Sequence, residues 1–276
     1  MSSRREIAER LTAAAEPLYG ADEARQIARM ILEARTGTTL TQLVTDPDAE
    51  VDIDDMEQIE ADVAAGRPVQ YVLGREEFCG MQFLVGEGVL IPRPETEEMV
   101  RRVVAERPHA VLDIGTGSGC IAVSVARLLP GTEVWAVDLS DAAMEYARRN
   151  AEFLGARVRF VQADALALPE IGRRFDAVVS NPPYIPHSER TAMRRNVTDY
   201  EPAMALFVDD SDPLLFYRRI AQQAGGVLTA GGRLWFEVHE RFAGEVAELL
   251  ENENFECVEI INDINDKPRI VCGRMR

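Results

Sequence analysis

Lysine is almost missing from this chain. Lys267 is the only one among 30 basic residues, so nearly all the positive charge is arginine. Against those 30 stand 47 acidic residues, a formal net charge of −17. A chain so acidic is a poor candidate for gripping duplex DNA or RNA through phosphates, which needs a basic face. It fits a basic protein partner, or solubility in a salty cytoplasm. The four cysteines, Cys79, Cys120, Cys257 and Cys272, have no C-x-x-C spacing. They read as small apolar residues of a reducing compartment, since 276 residues need no disulfide framework. His109, His187 and His239 lie far apart without metal-type spacing, so no metal is expected. No run of about 18 apolar residues is present, and no spanning helix is expected. Met1-Ser2-Ser3-Arg4-Arg5-Glu6 runs into a charged amphipathic helix with no apolar h-region. A cytoplasmic protein is the expectation.

What is present is a sizeable core: 46% of the residues are hydrophobic, and the length allows one large or two ordinary domains. Up to about Gly74 the period is helical. Ile7, Leu11, Ala14, Ala15 and Leu18 recur at three- and four-residue steps, as do Ala24, Ile27, Ala28, Ile31 and Leu32, then Met56, Ile59, Val63 and Ala64. This predicts a small bundle over residues 1–74. It contains no catalytic constellation, so substrate recognition or domain orientation is the expected role. Residues up to Glu97 hold 20 of the acidic and 9 of the basic residues, most of the net acidity. Between Gln70 and Pro94 the period changes to two. Tyr71-Val72-Leu73, Phe78 to Met81 and Gln82 to Val85 read as short strands, and residues 75–94 as a β-hairpin linker. Two prolines in Pro92-Arg93-Pro94 stiffen the approach to a helix beginning near Glu95.

From residue 95 to 276 strands and helices alternate, which predicts an α/β domain built on a mostly parallel sheet. Strands are expected at Val111–Ile114, Thr132–Val137, Val158–Gln162, Phe175–Ser180 and, after a turn at Ala230-Gly231-Gly232, Arg233–Val238. Phe255–Ile261 and Arg269–Cys272 should close the sheet as an antiparallel pair.

Two stretches carry chemistry. Gly115-Thr116-Gly117-Ser118-Gly119 follows a strand and precedes a helix, the arrangement of a nucleotide-binding corner in which glycines admit a ligand close to the backbone. An NAD site would look similar, but there the third glycine comes one residue later. Asp138, closing the second strand, suits a ribose diol. Asp164, after the third, is placed to accept from an adenine amino group, with Ala165 beside the ring. The second stretch is Asn181-Pro182-Pro183-Tyr184, where the fourth strand ends because neither proline has an N–H for the ladder. Asn181 and the Pro182 carbonyl can accept both hydrogens of a planar NH2 group, while Tyr184 covers its face and Pro183 completes the wall. Taken alone, the same four residues also describe a strand-ending turn with a buried tyrosine.

Together, the glycine run with Asp138 resembles the S-adenosylmethionine corner of class I methyltransferases. Asn-Pro-Pro-Tyr is similar to the motif of enzymes that methylate planar nitrogens, among them adenine-N6, guanine-N2 and glutamine-N5. A narrower resemblance, over nearly the whole chain, is to the HemK/PrmC release-factor glutamine methyltransferases. It is carried by Gly66–Gly74, Ile91-Pro92-Arg93-Pro94-Glu95-Thr96-Glu97, Asn181–Ile185, Glu201–Leu206 and Tyr217-Arg218. The resemblance implies a Rossmann-like methyltransferase domain behind a helical domain and a hairpin. It also implies S-adenosylmethionine as cofactor, held by Gly115, Thr116, Gly117, Ser118, Gly119, Asp138, Asp164, Ala165 and Asn181, with S-adenosylhomocysteine as product. The implied substrate is the glutamine of the Gly-Gly-Gln loop in class 1 peptide chain release factors, with no direct nucleic-acid or membrane partner. The implied catalytic residues are Asn181, Pro182, Pro183 and Tyr184. A base methyltransferase using the same pocket, and a cofactor-binding scaffold without activity, are the alternatives. Three positions depart from the family: Ala165, often large there; Glu237-Val238-His239, often Glu-Ile-Gly; and the run from Asp263 to Arg269, where the glycine is missing.

Overall fold

The computed structural model describes residues 2–276. They form two compact units: residues up to Arg75 with Arg194–Tyr200, and Glu76–Met193 with Glu201–Arg276.

The first unit is a helical bundle. Its long helices, Arg4–Tyr19 and Ala21–Thr36, are separated only by Gly20 at φ 77°. Ser3 caps the first by accepting from Glu6 N, and Gly37 in the left-handed region ends the second. Most of the predicted apolar positions converge: Ile7, Leu11, Ala28, Ile31, Ile59 and Val63 share one core, while Leu18 and Ala64, at the ends of their helices, stay exposed. One segment differs from its expected form. Tyr71-Val72-Leu73 belongs to a helix, Val69–Leu73, stopped by Gly74 at φ 71°. Pro68 precedes the first turn, and packing of Val72 into the bundle core decides a run too short for its period to be diagnostic. Arg194–Tyr200 joins this unit through Arg194 to both carboxylate oxygens of Glu23 (2.7 and 2.9 Å) and through Tyr200 Oη to Ala65 O (3.1 Å).

The second unit is organised by seven strands: β1 (Ala110–Ile114), β2 (Glu133–Asp138), β3 (Val158–Gln162), β4 (Phe175–Ser180), β5 (Leu228–Glu237), β6 (Phe255–Asn262) and β7 (Pro268–Met275). Their spatial order is β6-β7-β5-β4-β1-β2-β3. All neighbours run parallel except β7, which is antiparallel to β5 and to β6. This is the Rossmann-like sheet with an antiparallel closing pair. All five residues of β1 are buried, as a central strand covered on both faces requires. Ala230-Gly231-Gly232 does not form a turn ahead of β5. These residues form a bulge within it, since Leu228 pairs with Phe175 but Arg233 already with Ala177, and Gly231 at φ 78° takes up the difference.

Strands Arg75–Phe78 and Met81–Leu84 make a hairpin, but Phe78–Met81 is not the strand its pattern suggests: Cys79 and Gly80, both at positive φ, are the turn within it. Buried Asn150 anchors it. Its Oδ1 accepts from Leu84 N (2.6 Å), and its Nδ2 donates to Leu84 O (3.0 Å) and to Ser118 O in the glycine loop (2.9 Å). From β1 the chain winds outward to β2 and β3, then returns to β4 on the other side. The carboxyl ends of β1 and β4 therefore flank a topological switch point, where open parallel sheets leave a crevice.

Candidate functional site

That crevice is a cavity of about 350 Å³. The ends of β1, β2, β3 and β4 open into it through Gly115–Ser118, Asp138, Ala163–Ala165 and Asn181–Pro183. Gly88 to Leu90, with Pro92 and Arg93, closes one side, and Met204, Ala205, Phe207 and Phe216 close another.

The glycine corner is braced from beneath by Asp113, fully buried on β1. Its Oδ2 accepts from Thr116 Oγ1 (2.6 Å) and from Ala122 N (3.2 Å). Burial pushes the Asp113 carboxyl up to about 7 against these two donors, and the nearby Asp138 adds to the rise. Gly119 packs against a neighbouring helix, where a Cβ would stand 3.1 Å from Ala147 Cα. Gly115 and Gly117 are different. Both have positive φ, both line the cavity, and a Cβ on either would meet nothing within 4 Å. Their backbone faces open space of the kind a ligand fills.

Asp138 is held by two backbone donors, Gly117 N to Oδ2 (2.8 Å) and Ser140 N to Oδ1 (2.9 Å). A carboxylate oriented in this way is a ready acceptor for a diol. Asp164 is fixed by Leu166 N at 2.8 Å, and Ala165 sits beside it on the wall. Cradle, oriented acid and apolar walls at Leu139, Ala165 and Leu166 fit a nucleoside cofactor. Among the described residues, no group of three or more His, Cys, Asp or Glu is arranged to hold a metal ion.

Asn181, Pro182 and Pro183 line the cavity just beyond β4, and Asn181 Nδ2 donates to Thr96 Oγ1 at 3.4 Å. Tyr184, expected to cover the face of the bound amide, does not line the cavity; it packs behind them against the core, edge-on to His239 at 6.0 Å, with its hydroxyl donating to Glu237 Oε1 (3.3 Å). Burial and the Glu237 carboxylate push the Tyr184 phenol well up. Glu237 itself is 1% exposed at the end of β5 and also accepts from Thr96 Oγ1 (2.6 Å); burial raises its carboxyl.

Three parts of this site have a role that the sequence did not assign. Gly88–Arg93, which reads as a stiff linker, is a wall of the cavity. Glu201 is buried and accepts from Arg93 (2.6 Å) and from Ile91 N (3.1 Å). Thr96 and Glu237 form a polar layer behind Asn181. Ile91–Glu97 and Glu201–Leu206 stand out in the sequence only through the family resemblance, and the residue pattern itself adds one signal, Glu237, an acid inside the apolar run Leu234-Trp235-Phe236-Glu237-Val238.

Comparison with known proteins agrees with this geometry. The profile of a methyltransferase domain matches residues 111–200, and that of the PrmC N-terminal domain matches residues 4–74. A release factor glutamine methyltransferase of Bacteroides thetaiotaomicron is 46% identical over 220 residues, 79% of this chain and 79% of the relative. One from Chlorobaculum tepidum is 40% identical over 266 residues, 90% of this chain and 89% of its own. A methyltransferase structure from Pyrococcus furiosus shares the fold, with a TM-score of 0.54 at 18% identity over 80% of this chain and 98% of that one. The chain belongs to the release factor glutamine methyltransferase family.

Proposed function

We propose that this protein transfers a methyl group from S-adenosylmethionine to the side-chain amide nitrogen (N5) of the glutamine in the Gly-Gly-Gln motif of class 1 peptide chain release factors. The observation that carries it is that Asn181-Pro182-Pro183 lines the same cavity as the glycine corner and Asp138. The names of the relatives support the substrate.

A carboxamide nitrogen is a poor nucleophile, because its lone pair is delocalised into the carbonyl. Bound S-adenosylmethionine supplies a methyl group already activated on a sulfonium. The protein's task is therefore to aim the nitrogen rather than to ionise it. Asn181 Oδ1 and the Pro182 carbonyl accept its two N–H groups, which fixes the amide plane and leaves the nitrogen's face as the only direction of attack. Neither Pro182 nor Pro183 has an N–H to compete for those acceptors. The Pro183 ring keeps the plane from tilting, and Tyr184 buttresses the pair from behind. Orientation of this kind supplies up to about 7–11 kcal/mol of a barrier in favourable systems. No side chain has to take a proton before transfer; the proton is lost to solvent from the methylated amide.

The acidic helical unit is the proposed recognition domain, residues 1–74, joined through the hairpin of 75–94 to a catalytic domain of 95–276. Its substrate works in translation, so the setting proposed is the cytoplasm. Among the described residues, no helix is long and apolar enough to cross a membrane. The test is mass spectrometry of a purified release factor after incubation with enzyme and S-adenosylmethionine. One added methyl on the Gly-Gly-Gln glutamine supports the assignment. Methyl transfer to RNA or DNA in parallel reactions, with the release factor unmodified, overturns it.

A further inference from the structure

We infer that Thr96 and Glu237 are positioning residues that lock the Asn181 amide with its carbonyl oxygen toward the substrate. The inference rests on the catalytic role proposed for Asn181 and adds two residues that the activity alone does not name.

The argument is one of donors and acceptors. Glu237 lies at the end of β5, 1% exposed, and two hydroxyls converge on it: Thr96 Oγ1 on Oε2 at 2.6 Å and Tyr184 Oη on Oε1 at 3.3 Å. In its ionised form, which Arg269 favours against the rise from burial, Glu237 only accepts, so both hydroxyls donate to it. Thr96 has a single hydroxyl hydrogen. Once that hydrogen is committed to Glu237, Thr96 Oγ1 has only lone pairs left for a third partner. The partner is Asn181 Nδ2 at 3.4 Å. An asparagine amide has a donor edge and an acceptor edge of nearly equal shape, and a flip exchanges them. Thr96 takes the donor edge, which leaves Oδ1 at the other edge of the amide, free for the substrate. A flipped Asn181 would set its NH2 against the NH2 of the incoming glutamine, two donors with no acceptor between them.

The polarity thus runs from a buried carboxylate through one hydroxyl to the amide that meets the substrate. Thr96 is 2% exposed in the first turn of the helix Pro94–Glu106, so that turn is held in register with both β5 and the residue following β4. A polar layer of this kind costs free energy to bury, and it is tolerated because every member has a partner.

The experiment is single-turnover transfer of a tritiated methyl group to a release factor. It compares wild type, Thr96→Val, Thr96→Ser, Asn181→Ala and the Thr96→Val/Asn181→Ala double variant. Thr96→Val keeps the shape and removes the hydroxyl. It should lower the rate of transfer about tenfold or more, the scale of one lost hydrogen bond, while KM for the release factor and affinity for S-adenosylmethionine change less than about threefold. Thr96→Ser, which restores the hydroxyl, should recover most of the rate. In the Asn181→Ala background Thr96→Val should have no further effect, because it acts through that amide. If Thr96→Val does not fold, Glu237→Gln carries the same test, since it keeps the volume and ends the acceptor-only character. A Thr96→Val rate within about twofold of wild type, or an equal loss in both backgrounds, overturns this inference and leaves the Asn181 assignment standing. Wild-type turnover by Asn181→Ala overturns the assignment itself.

Discussion

Arg93 and Glu201, 108 residues apart in the chain, form an ion pair at 2.6 Å, and the carboxylate end of it is 1% exposed. The same Glu201 accepts from the Ile91 backbone, so it fixes both ends of the Ile91-Pro92-Arg93 stretch, of which Pro92 and Arg93 line the cavity. Removing the cation would leave a buried charge facing one N–H alone. Arg93→Leu is expected to cost about 3 kcal/mol, the low end for breaking a buried pair because the arginine is one-third exposed. Urea denaturation measures it. A loss below about 0.5 kcal/mol would mean the pair is solvated in practice.

Asn181→Ala should reduce turnover by at least about two orders of magnitude, with cofactor affinity nearly unchanged, since the side chain's proposed partner is the substrate amide. Titration calorimetry with S-adenosylhomocysteine, run beside the transfer assay, separates the two quantities. Parallel losses in binding and turnover would assign Asn181 to the cofactor instead.

The glycines of the corner should fail in different ways. At Gly119 an alanine meets both a left-handed φ of 80° and the Ala147 backbone at 3.1 Å, so Gly119→Ala should destabilise the fold by about 3 kcal/mol. At Gly115, with φ 76° and open space ahead, only the strain of about 1–2 kcal/mol applies to folding. Gly115→Ala should instead lose cofactor affinity, because its methyl group projects into the cavity. Thermal melts with and without S-adenosylhomocysteine distinguish the two, and indistinguishable behaviour would contradict the division of roles.

Asp113 predicts a pH dependence. Its carboxyl is raised by burial from 3.8 to about 7 in the fold, so between these values the folded state holds a proton that the unfolded chain has lost. Its contribution to stability is full below pH 4 and falls as pH rises toward 7. Asp113→Asn cannot titrate. The stability difference, wild type minus variant, should therefore decline across that window and level off above it. A flat difference between pH 4 and 7 would show that Asp113 keeps an ordinary carboxyl.

Docking of a basic release factor on the acidic helical unit should weaken as salt rises, through screening of opposed charges. Measuring Kd from low to physiological ionic strength tests this. A constant Kd would rule out electrostatic docking.

Much of the molecule is settled by local pattern. The helical period before Gly74, the alternation of strands and helices after residue 110, and the glycine run with Asp138 depend on residues close together in the chain. Steric and hydrogen-bonding rules act at that range, so spacing alone fixes them. The same rules fail on Tyr71-Val72-Leu73, a stretch too short to show a period, where the bundle core chooses helix. They fail again at Ala230-Gly231-Gly232, where pairing with β4 turns an apparent break into a bulge. The polar layer of Thr96, Glu237 and Asn181, and the Arg93–Glu201 pair, join residues that lie 56 to 141 positions apart. Such contacts exist only after the sheet has ordered its strands as β5-β4-β1, because that order brings distant strand ends to one edge. The sequence by itself determined which residues could bind a nucleoside and hold an amide. Only the tertiary structure decided what stands behind them, since a buried side chain's partners are set by which elements pack together and not by its neighbours in the chain.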